Sequence, residues 1–213
     1  MKKIYLIMTF VCGMLMVSCK PDGVDGKHHG HEYVDLGLSV KWAISNLGAS
    51  CPEDYGHYFA WGETTTKEIY DEESCPTYGL SYSKLQSEGY IGDKGNLTAE
   101  YDAATANWGG DWRMPTDKEL DELRTKCTWT WTTNNDVYGY NVVGPNGNSI
   151  FLPAAGSRSW SSLMFDGSLG NYWSSTPYML SNDNAYGFYF NSGSCYMGSY
   201  DRNSGRTIRP VLE

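Results

Sequence analysis

Val34, Leu36, Leu38, Val40 and Trp42 alternate with polar or small residues across Glu32–Ala43. A period of two marks a strand buried on one face, so a strand is predicted over 32–43. Tyr55–Trp61 (YGHYFAW) predicts a second short strand, closed by Gly62. From 63 to 98 the periodicity fades, and Pro76 and several glycines interrupt it. A long irregular excursion is predicted there. Leu97–Trp108 predicts a short helix stopped by Gly109-Gly110.

The pattern changes at GGDWRMPTDKELDELRTKC, residues 109–127. Pro115 disfavours helix before it. Thr116 followed three residues later by Glu119 is a capping box, in which each side chain satisfies a free backbone donor of the other. Leu120, Leu123 and Cys127 fall on one narrow apolar face. Asp117 and Glu119 occupy the first turn and Arg124 and Lys126 the last, as the helix dipole favours. The acids of this stretch therefore have structural reasons to be there, and no histidine joins them to suggest a metal. Beyond Cys127, TWTWTT places Trp129 and Trp131 on one face. Tyr138–Val143 and Asn148–Leu152 predict a hairpin around Pro145-Asn146-Gly147. Pro153–Leu169 reads as a loop holding Arg158 and Trp160. Asn171–Ser175, Ala185–Phe190, Cys195–Tyr200 and Arg206–Val211 predict four short strands. The fold class expected is α+β: small antiparallel sheets with two helices against them.

The chain has 213 residues and opens MKKIYLIMTFVCGMLMVSCK. Lys2 and Lys3 precede an apolar run too short for a stable membrane span. The run ends at Ser18-Cys19, the ending of a bacterial lipoprotein signal. The predicted organisation is a signal peptide over 1–18, lipidation at Cys19, a flexible tether over 19–31 and one domain over 32–213. The expected location is the outer membrane, on the cell surface or facing the periplasm, with membrane contact through the lipid anchor only. His28, His29 and His31 fall in the tether and read as a solvated linker; no metal and no cofactor is expected.

Without its leader the chain carries 14 basic residues against 25 acidic, a net charge of −11. No run of Lys or Arg offsets this, which excludes nucleic acid as a partner. Cys51, Cys75, Cys127 and Cys195 remain in the body. In an exported chain two disulfides are expected, with three pairings open.

The final third is rich in Tyr, Asn, Ser and Gly. Tyrosine offers rigid amphipathic contact area, and Asn, Ser and Gly offer adaptable hydrogen bonds. Tyr186, Phe188 and Phe190 alternate and read as core. The candidate ligand contacts are the loop residues Tyr178, Asn182, Asp183 and Asn184, with Asp201, Arg202 and Asn203. Arg158 and Trp160 are further candidates, because an exposed Trp in a polar loop calls for a partner.

EYVDLGLSVKWA, YGHYFAWGE, NWGGDWRMPT, CTWTWTT, GNSIFLPAAG, NYWSS and RTIRPV occur in this order over residues 32–213. Together they resemble the major paralogous domain first named from Fibrobacter succinogenes, which is abundant in Bacteroidetes surface lipoproteins. The resemblance implies a C-type-lectin-like fold with Trp112, Arg113, Pro115, Trp173 and Arg209 in its scaffold. It implies a recognition or adhesion role for a glycan or a surface protein, with no single known activity. The carboxylate motifs of calcium-dependent sugar binding are missing: the nearest strings are Gly144-Pro145-Asn146 and Tyr172-Trp173-Ser174. Formylglycine-generating enzymes share the fold relation, and Cys195 is the one late cysteine that could serve such chemistry. No His or Lys stands near it in sequence to activate it. His57 is the one histidine of the domain, and no nucleophile-elbow pattern accompanies it. Three function classes stay open: a non-catalytic recognition module, an enzyme of the formylglycine-generating or hydrolytic type, and an accessory subunit of a surface assembly.

Overall fold

The computed structural model describes residues 24–213. The signal peptide expected over 1–18 and the lipidation expected at Cys19 lie outside the described residues. The chain enters through β1 (Gly26–His28) and β2 (His31–Val34), which pair antiparallel with His28 opposite His31. β3 (Lys41–Ala43) then pairs with β2 through Val34 and Trp42. The single strand predicted over 32–43 is thus two strands and a turn. Asp35 Oδ1 accepts from the Gly37 backbone N–H at 2.7 Å, and Gly37 takes φ +73°, which glycine adopts without strain.

The expected tether is also corrected, because residues 26–31 are folded. The Trp112 indole N–H donates to the His28 carbonyl at 3.0 Å. His31 stacks on Trp108 with centroids 3.7 Å apart. His28 and His31, read as solvated linker, are packed on the indoles of Trp112 and Trp108 from far along the chain, which no local pattern announces; His29 stays exposed beside His28.

Three helices follow instead of two. The unpredicted one, α1 (Tyr82–Ser87), lies inside the excursion and is capped by Ser81, whose hydroxyl accepts from the Lys84 N–H. It buries only Leu85, too little to leave a periodic trace. α2 (Ala103–Trp108) starts later than predicted because Asp102 is its cap. That carboxylate accepts from Thr105 N–H at 3.0 Å and Met114 N–H at 2.8 Å, and so joins the helix to the next segment. α3 (Asp117–Lys126) carries the predicted capping box of Thr116 and Glu119 and buries Leu120 and Leu123. Arg113 grips the Glu119 carboxylate with two bonds of 2.8 and 2.7 Å.

β4 (Thr128–Asn134), β5 (Val137–Val143) and β6 (Ser149–Pro153) form an antiparallel sheet in that order. The predicted turn at 144–148 joins β5 to β6, with Asn146 Oδ1 accepting from Asn148 N–H at 3.0 Å. Part of the expected 153–169 loop is a hairpin, β7 (Ser157–Ser159) and β8 (Ser162–Met164). β9 (Gly170–Pro177), β10 (Asn184–Asn191) and β11 (Ser194–Asp201) form a second three-stranded sheet with β10 in the middle. The strand predicted over Arg206–Val211 is confined to β12 (Val211–Leu212), which closes the first sheet against β3. Upstream of it only isolated bridges form, Phe59 with Arg206 and Tyr172 with Thr207. Tyr55–Trp61 likewise makes one bridge and no strand.

The main core lies between α3 and the sheets, where Leu120, Leu123, Val142, Leu152, Phe188 and Phe190 are buried together. A second core gathers Trp61, Leu85, Leu97, Met114, Trp173 and Ile208 beneath the excursion. Trp112, Trp173 and Arg209 are fully buried, at 0–1% exposure. The expected disulfides are absent among the described residues: Cys51, Cys75, Cys127 and Cys195 are unpaired. They belong to different local elements. Burial first raises the thiols of Cys51 and Cys127 to about 11, and it raises those of Cys75 and Cys195 as well.

Candidate functional site

The site residues meet at one end of the β9–β11 sheet. Asn184 is opposite Asp201, and Ala185 is opposite Pro177. The loop 178–183 and the turn 201–204 therefore emerge side by side. Arg202 is the peg between them, only 1% exposed. Its backbone N–H donates to Asp183 O at 2.8 Å and its Nε to Asn184 O at 3.0 Å. Its Nη1 donates to Thr77 O and Leu80 O, both at 2.9 Å. The guanidinium lies 5.0 Å from the Trp61 ring centre. Arg202 was expected to touch a ligand; instead it ties the excursion, β10 and the final turn together. Burial pulls its pKa down to about 10, so it stays charged at neutral pH.

The loop it pins is internally bonded as well. Tyr178 N–H donates to Asn184 O at 3.1 Å, and Ser181 Oγ to Asn184 Oδ1 at 2.8 Å. Asn184, expected as a ligand contact, is thus taken up in holding the loop. Tyr178 packs edge-on against Tyr186 at 5.2 Å. Between these supports Met179 and Leu180 stand out, 71% and 84% exposed. Tyr178, Met179, Leu180, Tyr186, Tyr82 and Lys94 help line a groove of about 530 Å³. Asn182 is exposed on the same loop.

The β7–β8 hairpin reaches the same end from another direction. Arg158 exchanges both backbone bonds with Gly205, at 2.7 and 2.9 Å. Its guanidinium turns inward, 5.3 Å from the Tyr58 ring centre, and does not share a cleft with Trp160. Trp160 exchanges both backbone bonds with Tyr70, at 2.8 and 3.0 Å. It is the first of the two residues between paired Ser159 and Ser162, with φ +53°. Hairpin turns usually place glycine there, and a large side chain at positive φ is strained. The indole is nevertheless 66% exposed.

Trp160 and Asn203 line one cleft of about 320 Å³ with Asp71, Glu72 and Glu73. Asp183 and Asp201 do not line it; their charges reach Tyr78, which bonds to Glu72. Burial first, then a hydrogen bond from Tyr78 to Glu72 and the charges of Asp183 and Asp201, raise the Tyr78 phenol to about 12. Of the expected contacts, Trp160 and Asn203 are therefore brought together in one cleft with an acidic wall, while Asp183 and Asp201 act on the neighbouring Tyr78. Tyr178 and Asn182 belong to the neighbouring groove face, and Arg158, Asn184 and Arg202 to the supports. The sequence reading missed Met179, Leu180 and the acids Asp71–Glu73. An apolar pair inside a polar loop (PYMLSND) and an acid run (YDEES) were the available signals.

Among the described residues no group of three His, Cys, Asp or Glu side chains is placed to hold a metal ion. His57 is exposed, with its ring tilted 6.4 Å from that of Phe59. The Lcl C-terminal domain family matches residues 53–212, and this is a family of paralogous domains in Fibrobacter and Bacteroidetes proteins. No curated protein and no solved structure matches the chain.

Proposed function

We propose that this chain, which belongs to the Lcl C-terminal domain family, is a non-catalytic recognition or adhesion module for a glycan or a surface protein. One observation carries the reading. Trp160, Met179 and Leu180 are 66–84% exposed, yet Trp160 is held by backbone bonds to Tyr70, and the loop of Met179 and Leu180 by its own backbone bonds and by Arg202. Exposed apolar side chains on a rigid support form a contact surface with little left to order on binding. The raised thiols favour this reading over cysteine chemistry, which needs a thiolate.

In this proposal Cys19 carries the lipid, and the domain stands on the outer membrane facing outward. Its frame is of the C-type-lectin-like kind. The test is an unbiased glycan and surface-protein array probed with the purified chain. Saturable binding, lost on Trp160→Ala or Tyr178→Ala while the melting temperature holds, supports the proposal. Turnover of a substrate, abolished by one change in these loops, refutes it.

A further inference from the structure

With a lipid on Cys19, the acyl chains fix that residue at the headgroup layer, and the fold begins soon after it. Asp25 N–H donates to Tyr33 O at 3.0 Å. Asp25 Oδ2 accepts from the Asp35 N–H at 2.6 Å and from Asn148 Nδ2 at 3.2 Å. Asp25 is the first of the described residues so pinned, and six peptide steps separate it from Cys19. Fully extended, those steps span about 20 Å; a relaxed chain spans about 13 Å. A globular domain of this length is about 40 Å across. A domain held at Asp25 therefore meets the bilayer only within about 20 Å of that residue along its own surface. The β1–β2 hairpin adds no slack, because Trp112 bonds it at His28 and Trp108 stacks on His31.

The surface within that reach has its own chemistry. β1 is the open edge of the β1–β2–β3–β12 sheet. The hairpin stretch GKHHGH, residues 26–31, holds one lysine and three of the four histidines of the chain, and no carboxylate. Lys27 is exposed and stands opposite Glu32 in the ladder. No ion pair among the described residues takes Lys27. His29 is exposed at the tip, and His28 faces the Asp111 carboxylate at 3.8 Å. The chain as a whole carries a net charge of −9. Most of its surface is repelled by lipid phosphates, whereas an edge with a free lysine and imidazole N–H donors approaches them without that cost.

We propose that the β1–β2 edge rests on the lipid headgroups, pressed there by the short tether, with Lys27 and His29 facing the phosphates. This rests on the lipid anchor at Cys19 in the proposed function, and it names the membrane surface itself as a partner of the folded domain. The domain is then held in one orientation on the bilayer.

The test places the full-length lipidated chain in vesicles of phosphatidylethanolamine and phosphatidylglycerol, with a nitroxide on the headgroups of a minor fraction. A fluorophore is attached through His29→Cys in one preparation and through Leu180→Cys in another. The four native thiols of the domain are buried or half-buried with raised pKa and react more slowly. Quenching at position 29 should exceed that at position 180 by about threefold or more, since only the hairpin end is within reach. Inserting about twenty Gly and Ser residues before Val24 should at least halve the quenching at position 29. Equal quenching at the two positions overturns the proposal, as does quenching at position 29 that the insertion leaves unchanged. If the chain stays with the vesicles but position 29 is not quenched, this inference fails and the anchor stands. If the chain does not stay with the vesicles, both fail.

Discussion

Arg202 and Trp160 sit at the same end of the molecule with their ordinary places exchanged. The guanidinium is 1% exposed and the indole 66%. The difference follows from what each has to satisfy. Arg202 lies where two other segments turn three carbonyls inward, those of Thr77 and Leu80 from the excursion and that of Asn184 from β10. Buried carbonyls need donors, and an apolar residue has none. Trp160 is held through its main chain by Tyr70, which leaves its side chain free of any internal duty. The interior charge thus fixes the loops, and the loops carry the apolar side chains outward. The comparison separates a part that should respond to mutation through stability from a part that should respond through binding.

The largest effect is expected inside. Arg202→Leu takes a donor from three carbonyls, of which Asn184 O keeps the Tyr178 N–H and Thr77 O the Leu80 N–H, and should cost about 2–3 kcal/mol in urea unfolding. Arg202→Lys should recover only part of this, because an ammonium lacks the guanidinium's planar spread of donors. Next comes Asp102→Ala, which unpairs the Thr105 and Met114 N–H groups and should cost about 2 kcal/mol by the same measurement.

Glu119→Gln should cost about 1 kcal/mol and also change the acid profile. Burial opposes ionisation of Glu119, but bonds from Arg113 and from the Thr116 N–H outweigh it and hold the carboxyl below its ordinary 4.5. A depressed folded pKa gives stability that is complete above the unfolded value and is lost as pH falls through the folded one. The melting temperature of the native chain should therefore drop more steeply below about pH 4.5 than that of Glu119→Gln. At the binding end the sign reverses. Trp160→Gly removes a side chain from φ +53° and should stabilise the fold by up to about 1 kcal/mol, a gain set against the looser unfolded chain.

The same contrast explains what could be read from the sequence. α3 was fully legible, because its cap, its dipole-matched charges and its buried Leu120 and Leu123 are all local. The β5–β6 hairpin was legible for the same reason, through Pro145-Asn146-Gly147. The β1–β2 hairpin was not, since it is held by Trp108 and Trp112 far along the chain. α1 and β7–β8 were too short for any period to show. Trp160 and Asn203 were each marked as contacts from residue type, but their meeting in one cleft depends on the Arg158–Gly205 pairing, which is tertiary. Arg202 was misplaced because a polar residue in a polar turn looks solvated, whatever carbonyls surround it. The Asp71–Glu73 run lies within the irregular excursion, where no period singles it out.

The central claim is that these loops form a rigid contact surface whose apolar side chains serve binding and not the fold. It is tested most directly by measuring stability and array binding of Trp160→Gly on one preparation. The account predicts an equal or higher melting temperature together with lost binding. Binding that survives the change, or that disappears only because the melting temperature falls, would contradict it.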